Sequence, residues 1–253
     1  MIASLELDNK EVKIDLCQGI DISMPIRASK KNPTAWYVDP PQIEAVRTDQ
    51  FIGSVKEGGS VNFRNIFFNP HGHGTHTECV GHISEEIYSI NKLLTKFFYW
   101  AELISVKPIT KANGDLVITK ELLGSTLHTN SKETKALVIR TIPNEEDKLE
   151  MQYSNTNPAY LDKEAMQYIV DLGIDHLLID LPSVDREVDG GELAAHHIFW
   201  NFPSKTQFHK TITEMVYISS TIPDGTYLLN LQIAPFENDA SPSKPILYKP
   251  LKN

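Results

Sequence analysis

The sequence has only two cysteines in 253 residues, Cys17 and Cys79. That scarcity excludes a disulfide framework and makes the reducing cytoplasm the expected setting. Positive charge is scarce as well: 24 Lys and Arg face 33 Asp and Glu, for a formal net charge of −9. A chain so acidic carries no electrostatic footprint for nucleic acid or for an anionic membrane surface. Long apolar runs are missing, so no membrane span is expected. The opening Met1-Ile-Ala-Ser-Leu-Glu-Leu-Asp lacks the basic-then-apolar order of a signal peptide. Internal repeats, low-complexity tracts and linker-like stretches are absent too. Residues 1–253 are therefore expected to form a single domain with a sizeable core.

What the sequence has is one dense cluster. From Asn69 to His82 it reads Asn-Pro-His-Gly-His-Gly-Thr-His-Thr-Glu-Cys-Val-Gly-His, with four of the nine histidines and one carboxylate, Glu78. Imidazole and carboxylate are the ligands that suit zinc, manganese or iron. Gly72 and Gly74 allow the chain to turn sharply around an ion. His76 and Glu78 are two residues apart, so an extended segment puts both on one face, unlike the helical i, i+4 pair of the zincins. A polar surface loop without an ion is the plainer alternative, but the density of ligands directly behind the apolar Ile66-Phe67-Phe68 argues for a metal site. Cys79 reads as a small packed residue, because a metal site needs no separate cysteine nucleophile.

The segment Gly74-Thr75-His76-Thr77-Glu78-Cys79-Val80-Gly81-His82 resembles the signature of the cyclase-type metal-dependent hydrolases. That family includes bacterial kynurenine formamidase (arylformamidase) and isatin hydrolase, and its pattern is His-x-Gly-Thr-His-x-Asp-x-Pro-x-His. Gly74, Thr75, His76 and His82 are in register. Glu78 replaces the aspartate, Val80 the proline and Gly72 the first histidine; His71 and His73 flank that vacant place, and His71 is preferred. Further matches are Asp21-Ile-Ser-Met-Pro25 and Asp180-Leu-Pro-Ser-Val-Asp185. The resemblance implies an α/β fold of the swivelling β/β/α type, with a central β-sheet or barrel flanked by helices, in homodimers or homotetramers. It also implies that Trp36 lines a substrate pocket, and that His196 (with His197 competing) and Glu214 are the distal ligands.

Periodicity places the elements. Ala3 to Leu7 and Glu11 to Leu16 alternate as a β-hairpin. Phe51 to Ser54 and Ser60 to Phe68 read as strands about a turn at Lys56-Glu57-Gly58-Gly59. Ser84 is the expected cap of a helix over 87–94, and Thr119 of a short helix to Leu123. Strands are predicted over 97–106, 135–141 and 174–181, with an Asp162-capped helix ending at Leu172 before Gly173. A second helix over 192–199 carries His196 and His197, and strands follow at 211–219 and from Gly225. The polar span 143–158 is the expected mobile surface loop, and the tail from Asn238 is expected to pack loosely. His128, His176 and His209 read as structural or solvent-facing. Glu214 alternates with Ile212 and Val216, so it is expected half-buried beside them, where a carboxylate needs a counter-charge.

The resulting expectation is a hydrolase that cleaves a C–N bond of a small amide, either N-formyl or cyclic. One or two Zn or Mn ions would be held by His71, His76, Glu78, His196 and Glu214, with His82 moving the proton. Two other classes stand against it: a decayed metal- or ligand-binding protein on the same scaffold, and a metal-free interaction protein.

Overall fold

Three apolar runs dictate the centre. Phe98–Val106, Thr134–Thr141 and His176–Ile179 are strands paired in parallel, and Thr211–Glu214 pairs in parallel with His176–Ile179. Their successive side chains enter two separate cores. Ile104, Leu137, Ile139, Leu177 and Ile212 join one, while Ala101, Leu103, Ala136, Val138 and Leu178 join the other. Strands covered on both faces must be apolar on both faces, which is why these runs show no alternation. The computed structural model describes residues 1–127 and 131–251; His128 lies outside the described residues.

The sheet has nine strands. Its order is Ala240–Pro242, His76–Glu78, Thr211–Glu214, His176–Ile179, Thr134–Thr141, Phe98–Val106, Gly225–Asn230, Ile246–Tyr248 and Ile20–Asp21. It curls as an open half-barrel. Helices Lys120–Thr126, Lys163–Asp171 and Ala194–Trp200 contribute Leu123, Met166, Phe199 and Trp200 to the first core. Mixed α/β with a central sheet and flanking helices is the expected fold class. No helix among the described residues is long and apolar enough to cross a membrane.

Local signals placed several elements well. Thr119 accepts a hydrogen bond from the Leu122 amide and Asp162 from the Ala165 amide, each closing the first turn of its helix. The amino-terminal hairpin turns at Asp8 and Asn9, both at positive φ, which matches the right-handed twist of its strands.

Four expectations are corrected. Ser84 does not cap a helix; its hydroxyl donates to the Glu86 carbonyl, and only Ile90–Leu93 is helical, behind Ser89. Arg64–Phe67 and Phe51–Ile52 lie in different ladders, paired with Gln42–Ala45 and Arg47–Thr48. The span 143–158 is tied down rather than left on the surface: Tyr153 is buried, and Lys148 Nζ donates to Asp180 Oδ2 at 2.8 Å. The tail is integral, since Ala240–Pro242 and Ile246–Tyr248 are both strands of the sheet.

Candidate metal centre

The site forms where the short strand His76–Glu78 enters the sheet between Thr211–Glu214 and Ala240–Pro242. His76 and Glu78 share a face, and Thr77 points to the other, where its hydroxyl meets Thr213 Oγ1 at 2.8 Å. Register sets Glu214 directly opposite His76, a cross-strand pair whose side chains must meet. The strand ends there. Met215 has φ +54°, so the chain leaves the alternation. Val216 accordingly packs in the opposite core from Ile212, which corrects the expectation that Ile212, Glu214 and Val216 share a side.

Glu78 is the hub. Its Oε1 lies 3.0 Å from His196 Nε2, and its Oε2 lies 3.1 Å from His71 Nδ1 and 3.9 Å from His82 Nδ1. Glu214 Oε2 is 3.5 Å from His76 Nε2, and its Oε1 is 3.8 Å from His196 Nε2. Ring and carboxylate atoms of His71, His76 and Glu78 lie within 4.8 Å of one another, as do those of Glu78, His82 and His196. All six expected residues therefore meet at one place. Trp36 is tied to it through its neighbours: Ala35 donates to the Gly72 carbonyl at 3.0 Å, and the indole packs against the cluster holding Met215.

Each imidazole is oriented from behind. His76 Nδ1 bonds the Gly74 carbonyl at 3.0 Å, which leaves Nε2 as the inward-facing atom. His196 Nδ1 meets Asp185 Oδ2 at 2.6 Å, and the same carboxylate accepts the Ala195 and His196 amides. Leu193 offers the helix no side-chain cap, so Asp185, in the loop leading into Ala194–Trp200, caps that helix and aims His196 in one stroke. The Val184 amide donates to Glu214 Oε1 at 3.0 Å.

Of the competing histidines, geometry brings His71 and His196 into the cluster and leaves His73 and His197 out of it. His73 is turned away and fully engaged, accepting the Asn69 amide on Nδ1 and bonding the Asp39 carbonyl through Nε2. His197 bonds the Phe202 carbonyl outside the cluster. At Gly72 an added Cβ would lie 2.7 Å from Val38 Cγ2 and 3.2 Å from the Ala35 carbonyl. A side chain there would have to displace Val38, and His71 is the imidazole that reaches Glu78. Gly74 has φ +131°, open only to glycine at low cost. Cys79 is fully buried and burial pushes its thiol up to about 12, which removes it as a nucleophile.

Asp239 belongs to the site and the motif reading missed it. Its Oδ2 lies 2.7 Å from His71 Nε2 and 3.5 Å from His82 Nδ1. It sits just before the edge strand Ala240–Pro242, in a tail whose sequence carries no local sign of it. Asp185 closes the Asp180–Asp185 segment that resembles the family.

Charge is crowded here. Burial works to lower His71, but Asp239 and then Glu78 push it up to about 10. Burial likewise opposes charge on His196, and Asp185 and Glu78 nonetheless hold it well above the imidazole range. Glu78 lies well below the carboxylate range: burial raises it, and His82 and His196 outweigh that.

A divalent ion fits this donor set. His76 Nε2 and Glu78 Oε2 are buried without a hydrogen bond among the described residues. The 3.1 Å approach of His71 to Glu78 is an ion-pair contact that lacks hydrogen-bond alignment. Buried polar atoms left this way are costly, and inward-facing imidazole and carboxylate atoms are what zinc or manganese takes.

Fold and site together define an α/β protein with a buried His/carboxylate cluster whose donors suit a divalent metal ion. The profile of the Cyclase family matches residues 20–186, and the chain belongs to that family. No curated protein matches the sequence. Solved structures share its fold. One, named a potential metal-dependent hydrolase with cyclase activity, has TM-score 0.64 and 17% identity over 91% of this chain and 97% of its own. Isatin hydrolase A from Labrenzia aggregata, bound to benzyl benzoate, has TM-score 0.63 and 14% identity over 91% of this chain and 93% of its own. Isatin hydrolase A from Ralstonia solanacearum has TM-score 0.60 and 12% identity over 91% of each chain.

Proposed function

We propose that this protein is a metal-dependent hydrolase that cleaves the C–N bond of a small amide, cyclic or N-formyl. The observation that carries this reading is the convergence of His71, His76, His196, Glu78 and Glu214, with His76 Nε2 and Glu78 Oε2 buried and without a hydrogen bond among the described residues. His71, His76 and Glu78 would hold one ion, and Glu78, His196 and Glu214 would hold a second. A bound divalent cation supplies Lewis-acid polarisation of the carbonyl and an acidified water at neutral pH.

The chain's own residues do the rest. His76, Glu78, His196 and Glu214 have side chains at most 4% exposed, whereas His71, His82 and Asp239 are 20–29% exposed. Substrate therefore meets the centre from the His82–Asp239 side. As water adds to the carbonyl, His82 takes the released proton and returns it to the nitrogen as the C–N bond breaks. Asp239 steadies the imidazole in both states. Trp36 closes the pocket as an apolar wall.

The test is elemental analysis of chelator-free protein with isatin and N-formylkynurenine assayed on the same sample. Near-stoichiometric zinc or manganese with turnover is expected, and His76→Ala should lose most of both. A metal-free protein that stays inert after zinc and manganese are added would overturn the reading.

A further inference from the structure

A second cavity, apart from the metal centre, lies where three neighbouring parallel strands run out. Lys107 follows Phe98–Val106, Ile142 follows Thr134–Thr141, and Leu181 lies two residues past His176–Ile179; all three line it. Crevices outside the carboxyl ends of parallel strands are where α/β sheets take ligands. The volume is about 330 Å³, within the range of small-molecule sites. Pro108, Leu116, Ile142, Met151, Ala159 and Leu181 make its wall largely apolar.

Its charges are already spoken for. Lys148 Nζ contacts Asp180 Oδ2 at 2.8 Å, Thr141 O and Oγ1 at 2.9 Å, and Asn144 Oδ1 at 3.1 Å. Four acceptors surround three N–H groups, so the lysine presents only its stem. Lys107 also lines it but is exposed, where solvent and salt screen its charge. An anionic ligand thus finds no buried, unspent countercharge.

Thr156 and Asn157, which also line it, are bonded to the Tyr153 carbonyl and Asp115, and Thr110 is exposed; one buried polar atom is left without a partner. Tyr153 lines the cavity, is 5% exposed, and its Oη is buried with no hydrogen-bond partner among the described residues. Burial, then Asp180 and Asp147, hold its phenol above the usual range, so it keeps its proton and can donate it. A buried donor without an acceptor is the exception in folded proteins.

We propose that this cavity binds a small, uncharged, largely apolar molecule of about one substituted ring, whose single carbonyl-type oxygen accepts from Tyr153 Oη. None of the residues used belongs to the metal centre, so the inference stands or falls independently of the hydrolase reading.

The test uses the full chain titrated with acetophenone, benzoate and ethylbenzene, followed by amide NMR shifts of residues 107–116 and 141–159. Acetophenone should bind roughly tenfold tighter than ethylbenzene, and Tyr153→Phe should erase that difference. Leu116→Trp, at the partly exposed mouth, should abolish binding of both while the fold persists; it keeps the proposal testable if Tyr153→Phe folds poorly. Benzoate binding more tightly than acetophenone would overturn the uncharged class. Undiminished acetophenone binding to Tyr153→Phe would remove the phenol from the site. Shifts from none of the three probes at millimolar concentration, as for a cavity that holds water only, would overturn the proposal.

Discussion

An added Cβ at residue 72 would press on Val38 Cγ2 at 2.7 Å and on the backbone of Ala35, and that contact decides how the departure from the family motif should be read. Restoring the motif with Gly72→His should therefore not help. Overpacking of this kind typically costs about 1–3 kcal/mol, so the variant should unfold at lower denaturant and bind no more metal than the parent. Tighter metal binding at unchanged stability would show that His71 is not the substitute. Asp239→Asn tests a different role. Its carboxylate contacts His71 and His82 on the accessible side, away from the inward-facing atoms of His76, Glu78 and His196. With zinc or manganese supplied in excess to offset the lost support of His71, kcat should fall by roughly 10²–10⁴, the usual share of general acid–base catalysis. His82→Ala should behave the same way, and a rate unchanged in both variants would remove this pair from the proposed chemistry.

At the scale of elements, the helix Ala194–Trp200 and the ligand on it share one support. Asp185 accepts the Ala195 amide at 2.7 Å and holds His196 Nδ1 at 2.6 Å. Asp185→Asn keeps an acceptor for one amide but loses the charge on the imidazole. Metal affinity should drop about 10–100-fold, and the helix should lose about 1 kcal/mol of capping, visible as faster amide exchange in its first turn. Equal affinity in the variant would mean that His196 needs no orientation. Such a support was hard to see in the sequence. Caps at Thr119 and Asp162 were legible because the hydrogen bond spans three residues, and the parallel strands were legible because burial on both faces leaves unbroken apolar runs. Asp185 works across a loop, and Asp239 reaches the centre only because Ala240–Pro242 pairs with His76–Glu78. A Pro- and Lys-rich tail gives no local sign of that pairing. The span 143–158 misled in the same way: its polar composition concealed Lys148, whose partner Asp180 lies at the end of another strand.

At the scale of the whole molecule, the sheet buries one histidine that takes no part in the centre. His176 is 4% exposed, lies under Tyr99 with ring centroids 3.9 Å apart, and meets Thr211 Oγ1 at 2.9 Å. Burial pushes it from the ordinary value of 6.5 down to about 4. The unfolded chain therefore takes up this proton near pH 6.5, whereas the folded chain resists it until about pH 4. Between those limits the unfolded state binds more protons, so stability must fall as pH falls. The contribution is fully present above the upper limit and levels off below the lower one. Its ceiling is about 3 kcal/mol, from the two pKa values and 1.36 kcal/mol per unit. Urea unfolding of the parent and of His176→Asn across that range isolates the effect, because asparagine can still donate to Thr211 but does not titrate. The parent should lose stability more steeply than the variant as the solution is acidified, by up to about 3 kcal/mol. The carboxylates around Glu78 and Asp239 contribute their own acid sensitivity to both proteins and cancel in the difference. Parallel curves for the two proteins would place a proton on His176 in the native sheet, and the packing of Tyr99 and Thr211 around it would then have to accommodate an imidazolium.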